Sequence, residues 1–271
     1  MNRGCGEKEI GRSASFEDEV SPAPGLEFST PLLNAAGSLG FSLPGRGAVD
    51  PDRLGAFFTN PVSLAPRRPA ENRCLVPFPG GFLLHTGLPN PGFRSVLRAH
   101  AFRWARMGMP VIVHLIASQP EELARMVRRL EGLEGVSGIE VGLHPEISPD
   151  QAARFYQAAR GELAVIASLP PDRVVDLGPA LQRAGAGLVS LAAPRGALPG
   201  PEGRLIHGRL YGPALLPGAL QAVAAAAGLG LRVIGSGGVY AGQDGREMLS
   251  AGACAVQVDA AWWKGFEIED W

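Results

Sequence analysis

Five histidines are the side chains here best suited to proton transfer near neutral pH, because an ordinary imidazole titrates at about 6.5. His144 stands in Gly142-Leu143-His144-Pro145-Glu146, just after a short apolar run. There it can act as a general base, with Glu146 as a partner, or it can be an exposed loop histidine with no task. His114 lies inside the apolar run PVIVHLI; a histidine so placed is more often a satisfied core residue than a ligand, but it can also point into a barrel mouth. His85 precedes Gly87-Leu88-Pro89-Asn90 in a stretch rich in Pro and Gly. His207 and Tyr211 lie in a second long irregular stretch and can cover a bound ligand. No HxH or HExxH spacing joins the histidines into a metal site. There is also no GxSxG elbow and no Walker-type loop, which removes the commonest hydrolase and nucleotidase readings.

The other chemical signal is the turn Gly235-Ser236-Gly237-Gly238, directly after the apolar run 231–234. Glycines there let backbone N–H groups approach a phosphate at a helix amino terminus. They also suit a plain tight turn into a helix, and sequence leaves both readings open.

The elements that must hold these residues are legible as a repeat. Eight short apolar runs occupy residues 31–35, 55–63, 110–116, 138–143, 163–169, 187–192, 231–234 and 253–258. Such runs fit strands buried on both faces. Helical patterns lie between them. Residues 119–130 place Leu123, Met126, Val127 and Leu130 on one face, and Pro120, Glu121 and Glu122 suit a first turn. Residues 148–159 open on Ser148-Pro149-Asp150, a cap and start. Alternation of this kind predicts parallel strands with crossover helices, and eight strands favour closure. The expected fold class is α/β, a (β/α)8 TIM barrel; 271 residues is close to the usual size of about 250.

Two stretches interrupt the repeat: residues 67–90, an insertion after strand two that can hold a hairpin, and residues 193–213, which have no regular period. In a barrel, such loops sit over the catalytic face. Thirteen residues, 259–271, follow the last strand, so the last helix is expected to be truncated, absent, or replaced by packing of Trp262, Trp263 and Trp271. An exposed seam there favours a partner subunit, and a homodimer is expected.

Composition narrows the partners. With 46% hydrophobic and 19% charged residues the chain can build a large core. Its net charge of −1 and lack of a like-charge block predict no nucleic-acid partner. No apolar stretch approaches the roughly 18 residues that span a membrane. Residues 1–24 read as a flexible lead-in without signal-peptide order, ahead of a single domain over 25–271. Cys5, Cys74 and Cys254 are too scattered for a disulfide framework, which points to a reduced, cytoplasmic protein.

Several stretches, in order, resemble the dihydroorotate dehydrogenase family. They are LNAAGSLG (33–40), GAFFTNPVSLAPR (55–67), HTGLPNPGF (85–93), LYGPALLP (210–217), and IGSGGVYAGQD with AGACAVQV (234–244 and 251–258). The resemblance implies a barrel over residues 26–262, FMN as cofactor and a small-molecule substrate. It implies Ala35, Ala36 and Gly37 against the flavin, its phosphate at Gly235, Gly237 and Gly238, and a substrate loop of His85, Gly87, Leu88, Pro89 and Asn90.

The same resemblance exposes departures. Asn60 stands where the family carries a lysine that touches flavin and substrate, and Ser168 where a second lysine stabilises the reduced flavin. Neither supplies positive charge. Leu84 or His85, and Ala192 with Ala193, replace substrate-binding asparagines. Asp259 and Ala260 match a glycine-threonine pair at the flavin phosphate, and a carboxylate there repels phosphate. His144 stands where the family has a cysteine or serine base. The expected function is a flavin-linked oxidoreductase lineage acting on a small molecule other than dihydroorotate. The alternatives are a barrel that has lost FMN and serves as a partner or regulatory subunit, or a cofactor-free lyase or isomerase using His144.

Overall fold

The computed structural model describes residues 25–43, 51–200 and 203–264. Numbered along the chain, its strands are β1 (Leu32–Asn34), β2 (Phe57–Phe58), β3 (Cys74–Phe78), β4 (Gly81–His85), β5 (Val111–Leu115), β6 (Val136–Gly142), β7 (Ala164–Leu169), β8 (Leu188–Leu191), β9 (Arg195–Pro199), β10 (Leu205–Tyr211), β11 (Arg232–Ser236) and β12 (Ala253–Val258). Eight of them form one parallel sheet in the order β1-β12-β11-β8-β7-β6-β5-β2. A parallel bridge between Leu33 and Ala56 joins its two ends, so the sheet closes into the expected (β/α)8 barrel.

The closing seam is made by a side chain. Asn34, fully buried, accepts from Phe58 N at 2.8 Å through Oδ1 and donates to Phe58 O at 2.8 Å through Nδ2. Its amide thereby stands in for a missing stretch of ladder between β1 and β2.

The second strand is shorter than expected. The run 55–63 keeps only Phe57–Phe58 as a ladder, with isolated bridges at Ala56 and Val62. Pro61 has no N–H to donate, and that breaks the run.

Six α-helices pack around the barrel: α1 (Phe93–Trp104), α2 (Pro120–Leu130), α3 (Pro149–Ala159), α4 (Val174–Arg183), α5 (Leu216–Gly228) and α6 (Gly242–Ser250). α2 buries Leu123, Met126, Val127 and Leu130, the face that its spacing sets out. α3 begins with a capping box in which Ser148 and Gln151 satisfy each other's backbone N–H. Among the described residues no α-helix follows β1 or β12. After β12 comes a single 3-10 segment, Ala260–Lys264, in which Trp262 is buried and donates to Val258 O at 2.9 Å. Trp271 lies outside the described residues, as do Cys5 and the lead-in 1–24.

The interior divides into two levels. Leu33, Ala56, Phe58, Ile112, Ala164, Ile166, Leu188, Ile234 and Ala255 form an inner apolar plug, closed by Leu26. Their neighbours along the strands, such as Val111, Val113, Ile139, Val165 and Val233, face the helices instead. This is the period-two alternation of a strand with core on both sides.

The two irregular stretches meet above the carboxyl ends of the strands. β3 and β4 form the hairpin within 67–90, and β9 and β10 form a second one within 193–213. β4 and β10 pair, giving an antiparallel sheet β3-β4-β10-β9. The second hairpin corrects the reading of 193–213 as irregular; its Gly and Pro content masks the alternation.

Asn34→Ala leaves the buried N–H and C=O of Phe58 without partners. At about 1–3 kcal/mol for each such group, the variant is expected to lose about 2–4 kcal/mol in urea unfolding with little change in m.

Candidate active site

Above the apolar plug six of the eight barrel strands each contribute one inward polar residue, and neighbours fall in register. His114 on β5 lies opposite Glu140 on β6, Ser168 on β7 opposite Ser190 on β8, and Ser236 on β11 opposite Gln257 on β12. All six are buried. Glu140 is their centre. Its Oε2 lies 2.5 Å from His114 Nδ1, and its Oε1 accepts from Ser190 Oγ at 2.5 Å and from Gln257 Nε2 at 3.4 Å. Burial by itself pushes the Glu140 carboxyl up, but its interactions with His114, Ser190 and Gln257 outweigh it, and the net shift is downward.

The network sets the histidine tautomer. An ionised carboxylate only accepts, so Nδ1 must carry a proton, and in the neutral ring the lone pair is then on Nε2. His114 Nε2 is buried and has no hydrogen-bond partner among the described residues. The reading of His114 as a satisfied core residue therefore holds for one nitrogen and fails for the other.

This layer is the floor of a cavity of about 1020 Å³ roofed by the antiparallel sheet. His114, Glu140, Ser168, Ser236, Gln257 and Asp259 line the floor, and Leu84, Arg195, Arg209 and Tyr211 line the roof. Arg195 and Arg209 are cross-strand partners. Burial and the Arg209 charge lower the Arg195 guanidinium, and Glu146 across the mouth opposes them.

Ala35, Ala36, Gly37, Asn60, Ser168, His85, Gly87, Leu88, Pro89 and His144 all line this cavity. Several have structural tasks as well. Asn60 Oδ1 accepts from Gly40 N at 3.1 Å and so holds the turn after β1. His144 is exposed, and its Nδ1 accepts from the backbone N of Glu146 at 3.2 Å. Asn90 lies outside the lining; its amide ties Ser63, Leu88 and Gly92 together and pins the loop. Gly235, Gly237 and Gly238 are also absent from the lining. Gly235 backs onto Met248, Ala253 and Val223, and a Cβ on Gly238 (φ +81°) would come within 2.3 Å of Leu216 N. Tyr211 is buried against the cavity, whereas His207 is exposed and outside it. The residues that sequence reading missed are Glu140, Ser190, Ser236 and Gln257. Their signal was a single polar residue near the end of each apolar run.

A family model described as dihydroorotate dehydrogenase matches residues 201–270. The dihydroorotate dehydrogenase B (NAD(+)) catalytic subunit of Pelobacter propionicus is 32% identical over 261 residues, 88% of this chain and 85% of that one. Its counterpart in Desulforudis audaxviator is 33% identical over 259 residues, 88% and 84% of the two chains. This chain belongs to the dihydroorotate dehydrogenase family. Among solved structures, the Eimeria tenella DHODH in complex with ferulenol superposes with a TM-score of 0.69 at 15% identity, covering 88% of this chain and 77% of that one. That likeness bears on the fold alone.

Family membership implies FMN, and the phosphate end of the site tests the fit. Asp259 follows β12 and faces the cavity. Its Oδ1 accepts from Ala260 N, and its Oδ2 is buried with no partner among the described residues. In the neighbouring turn, Tyr240 N and Ala241 N both donate to Asp244 Oδ2 at 2.8 Å. Carboxylates thus already take amides at both helix starts, and one of them is a buried charge. These residues do not fit a phosphate dianion.

Burial pushes the Asp259 carboxyl up to about 6, with the bonds from Ala260 N and its own N–H pulling the other way. Because the folded value lies above the ordinary 3.8, the native state binds the proton more tightly. The associated stability is full below pH 3.8 and lost as pH rises through about 6. At about 1.4 kcal/mol per unit, the cost at neutral pH is on the order of 3 kcal/mol. Asp259→Asn is expected to be about 1–3 kcal/mol more stable at pH 7.5, with a flatter stability profile between pH 4 and 6. Denaturant titrations at several pH values check both.

Proposed function

We propose that this member of the dihydroorotate dehydrogenase family acts on a small molecule other than dihydroorotate, by chemistry that does not run through FMN. The observation that carries the reading is Asp259, a buried carboxylate with a free oxygen where the family's flavin phosphate is expected. Asn60 and Ser168 support it, since neither brings a cation to the cavity. The cavity, at about 1020 Å³, has room for a small organic substrate.

One observation favours a second reading. Ala35, Ala36 and Gly37 line the cavity, as a flavin-linked oxidoreductase of this lineage requires. Absorption spectroscopy of the purified protein, followed by FMN titration, separates the two. The expected result is a colourless protein that leaves FMN fluorescence unchanged at micromolar concentration and does not oxidise dihydroorotate. A yellow protein with stoichiometric FMN would replace the first reading with the second.

We further propose a homodimer. No α-helix follows β12 among the described residues, and Trp263 in the 3-10 segment after it remains 48% exposed. Light scattering is expected to give twice the chain mass; a monomer at micromolar concentration refutes the dimer.

A further inference from the structure

We propose that His114 and Glu140 form a general-base dyad at the cavity floor, with His114 Nε2 as the atom that takes the proton. The proposal rests on reading the cavity as a small-molecule site, and it adds the reaction class.

Three features converge on Nε2. Glu140 holds Nδ1 at 2.5 Å, which puts the lone pair on Nε2 and leaves a carboxylate beside the ring to stabilise the imidazolium that proton transfer creates. Ser190 and Gln257 fix that carboxylate in turn. Nε2 is itself buried, belongs to a side chain only 5% exposed in a residue that lines the cavity, and has no partner among the described residues. A buried polar atom left so, in a network where the other acceptors are satisfied, marks a place for a ligand. Gly142 keeps that place open, because a Cβ there would lie 2.7 Å from Nε2.

His144 compares poorly as a base. It is exposed, and its Nδ1 is taken by the Glu146 N–H. The two histidines thus exchange the roles that sequence gave them.

The roof narrows the substrate. Arg195 and Arg209 face each other across β9 and β10 and line the same cavity, a paired cationic site suited to a carboxylate. The geometry points to a small carboxylic acid with a C–H bond next to a carbonyl. Nε2 takes that proton, and the C–H electron pair moves into the carbonyl as an enolate. Where a C=C bond adjoins that carbon, return of the proton at the far end of the resulting dienolate completes an isomerisation; expulsion of a β-substituent with the pair completes an elimination. Neither route needs an oxidant or reductant.

The test uses 5-nitrobenzisoxazole, a neutral ring compound small enough for the cavity. A base removes its one acidic C–H proton, the C–H pair forms the nitrile, the N–O bond breaks, and a coloured phenolate leaves. The whole protein is expected to open it faster than buffer with an equal concentration of free imidazole. His114→Gln should lower the excess rate at least about 100-fold, the lower end of general-base effects. His207→Ala, outside the cavity, should leave it unchanged. No excess rate in the unmodified protein overturns the proposal, and so does loss in His144→Ala with retention in His114→Gln.

Should His114→Gln fail to fold, nitrogen-15 NMR of the unmodified protein decides the point: His114 must carry its proton on Nδ1, and an Nε2–H tautomer overturns the dyad. In Glu140→Leu, which removes the acceptor at Nδ1, that single tautomer should be lost, an effect that packing alone does not produce. FMN binding would sink the flavin-free reading without altering the tautomer, so the two fail separately.

Discussion

A carboxylate removed from water stays ionised only if donors surround it. Glu140 sits inside the barrel under that constraint, and three other strands answer it: β5 with His114, β8 with Ser190 and β12 with Gln257. Each donor depends on its strand holding register, because a slip of one residue would turn it outward. The polar layer is therefore tied to the barrel's closure. The apolar plug below supplies the dry environment that makes these bonds strong, and the antiparallel roof above bounds the cavity that His114 lines.

Charge is distributed unevenly around that space. The floor carries Glu140 and Asp259, while the guanidinium groups of Arg195 and Arg209 belong to the roof. Burial pushes the Tyr240 phenol up to about 12, with the Asp259 and Tyr211 charges adding to it. A bound molecule with an anionic group would be drawn toward the roof and away from the end of β12. Near the ends of β2, β7 and β12, where the family resemblance implies the flavin's partners, this chain has Asn60, Ser168 and Asp259.

Much of the architecture was legible because buried parallel strands announce themselves as short apolar runs. The eight runs all join the barrel, and Ser148 and Pro120 open helices as their types require. What escaped was of two kinds. Local signals were masked: Pro61 cut the second strand short, and glycine and proline hid the hairpin of β9 and β10. Long-range partnerships left no local trace. Glu140 meets His114, Ser190 and Gln257 across 26, 50 and 117 residues of chain, and in sequence each is one polar letter in an apolar run. Only the rule that successive strands align would have brought those letters together. His144 stood out because it matches the family's base position directly before a proline, whereas the partner of His114 is remote in sequence.

The seam at Asn34 also bears on how the molecule comes into being. β1 pairs with β12, Leu32 with Val256 and Asn34 with Val258, so the first strand waits for the last. During synthesis nearly the whole chain must emerge before that edge of the sheet is covered, and long-range parallel pairing of this kind is slow. Until then β1 is held on its other side by the Asn34 amide, the bridge at Ala56 and the Gly55 N–H to Leu32 O at 2.9 Å, which need no more than the next strand to arrive. A side chain that completes the barrel in the finished protein thus also serves the nascent one, as an early clasp on a strand whose main partner has yet to be made.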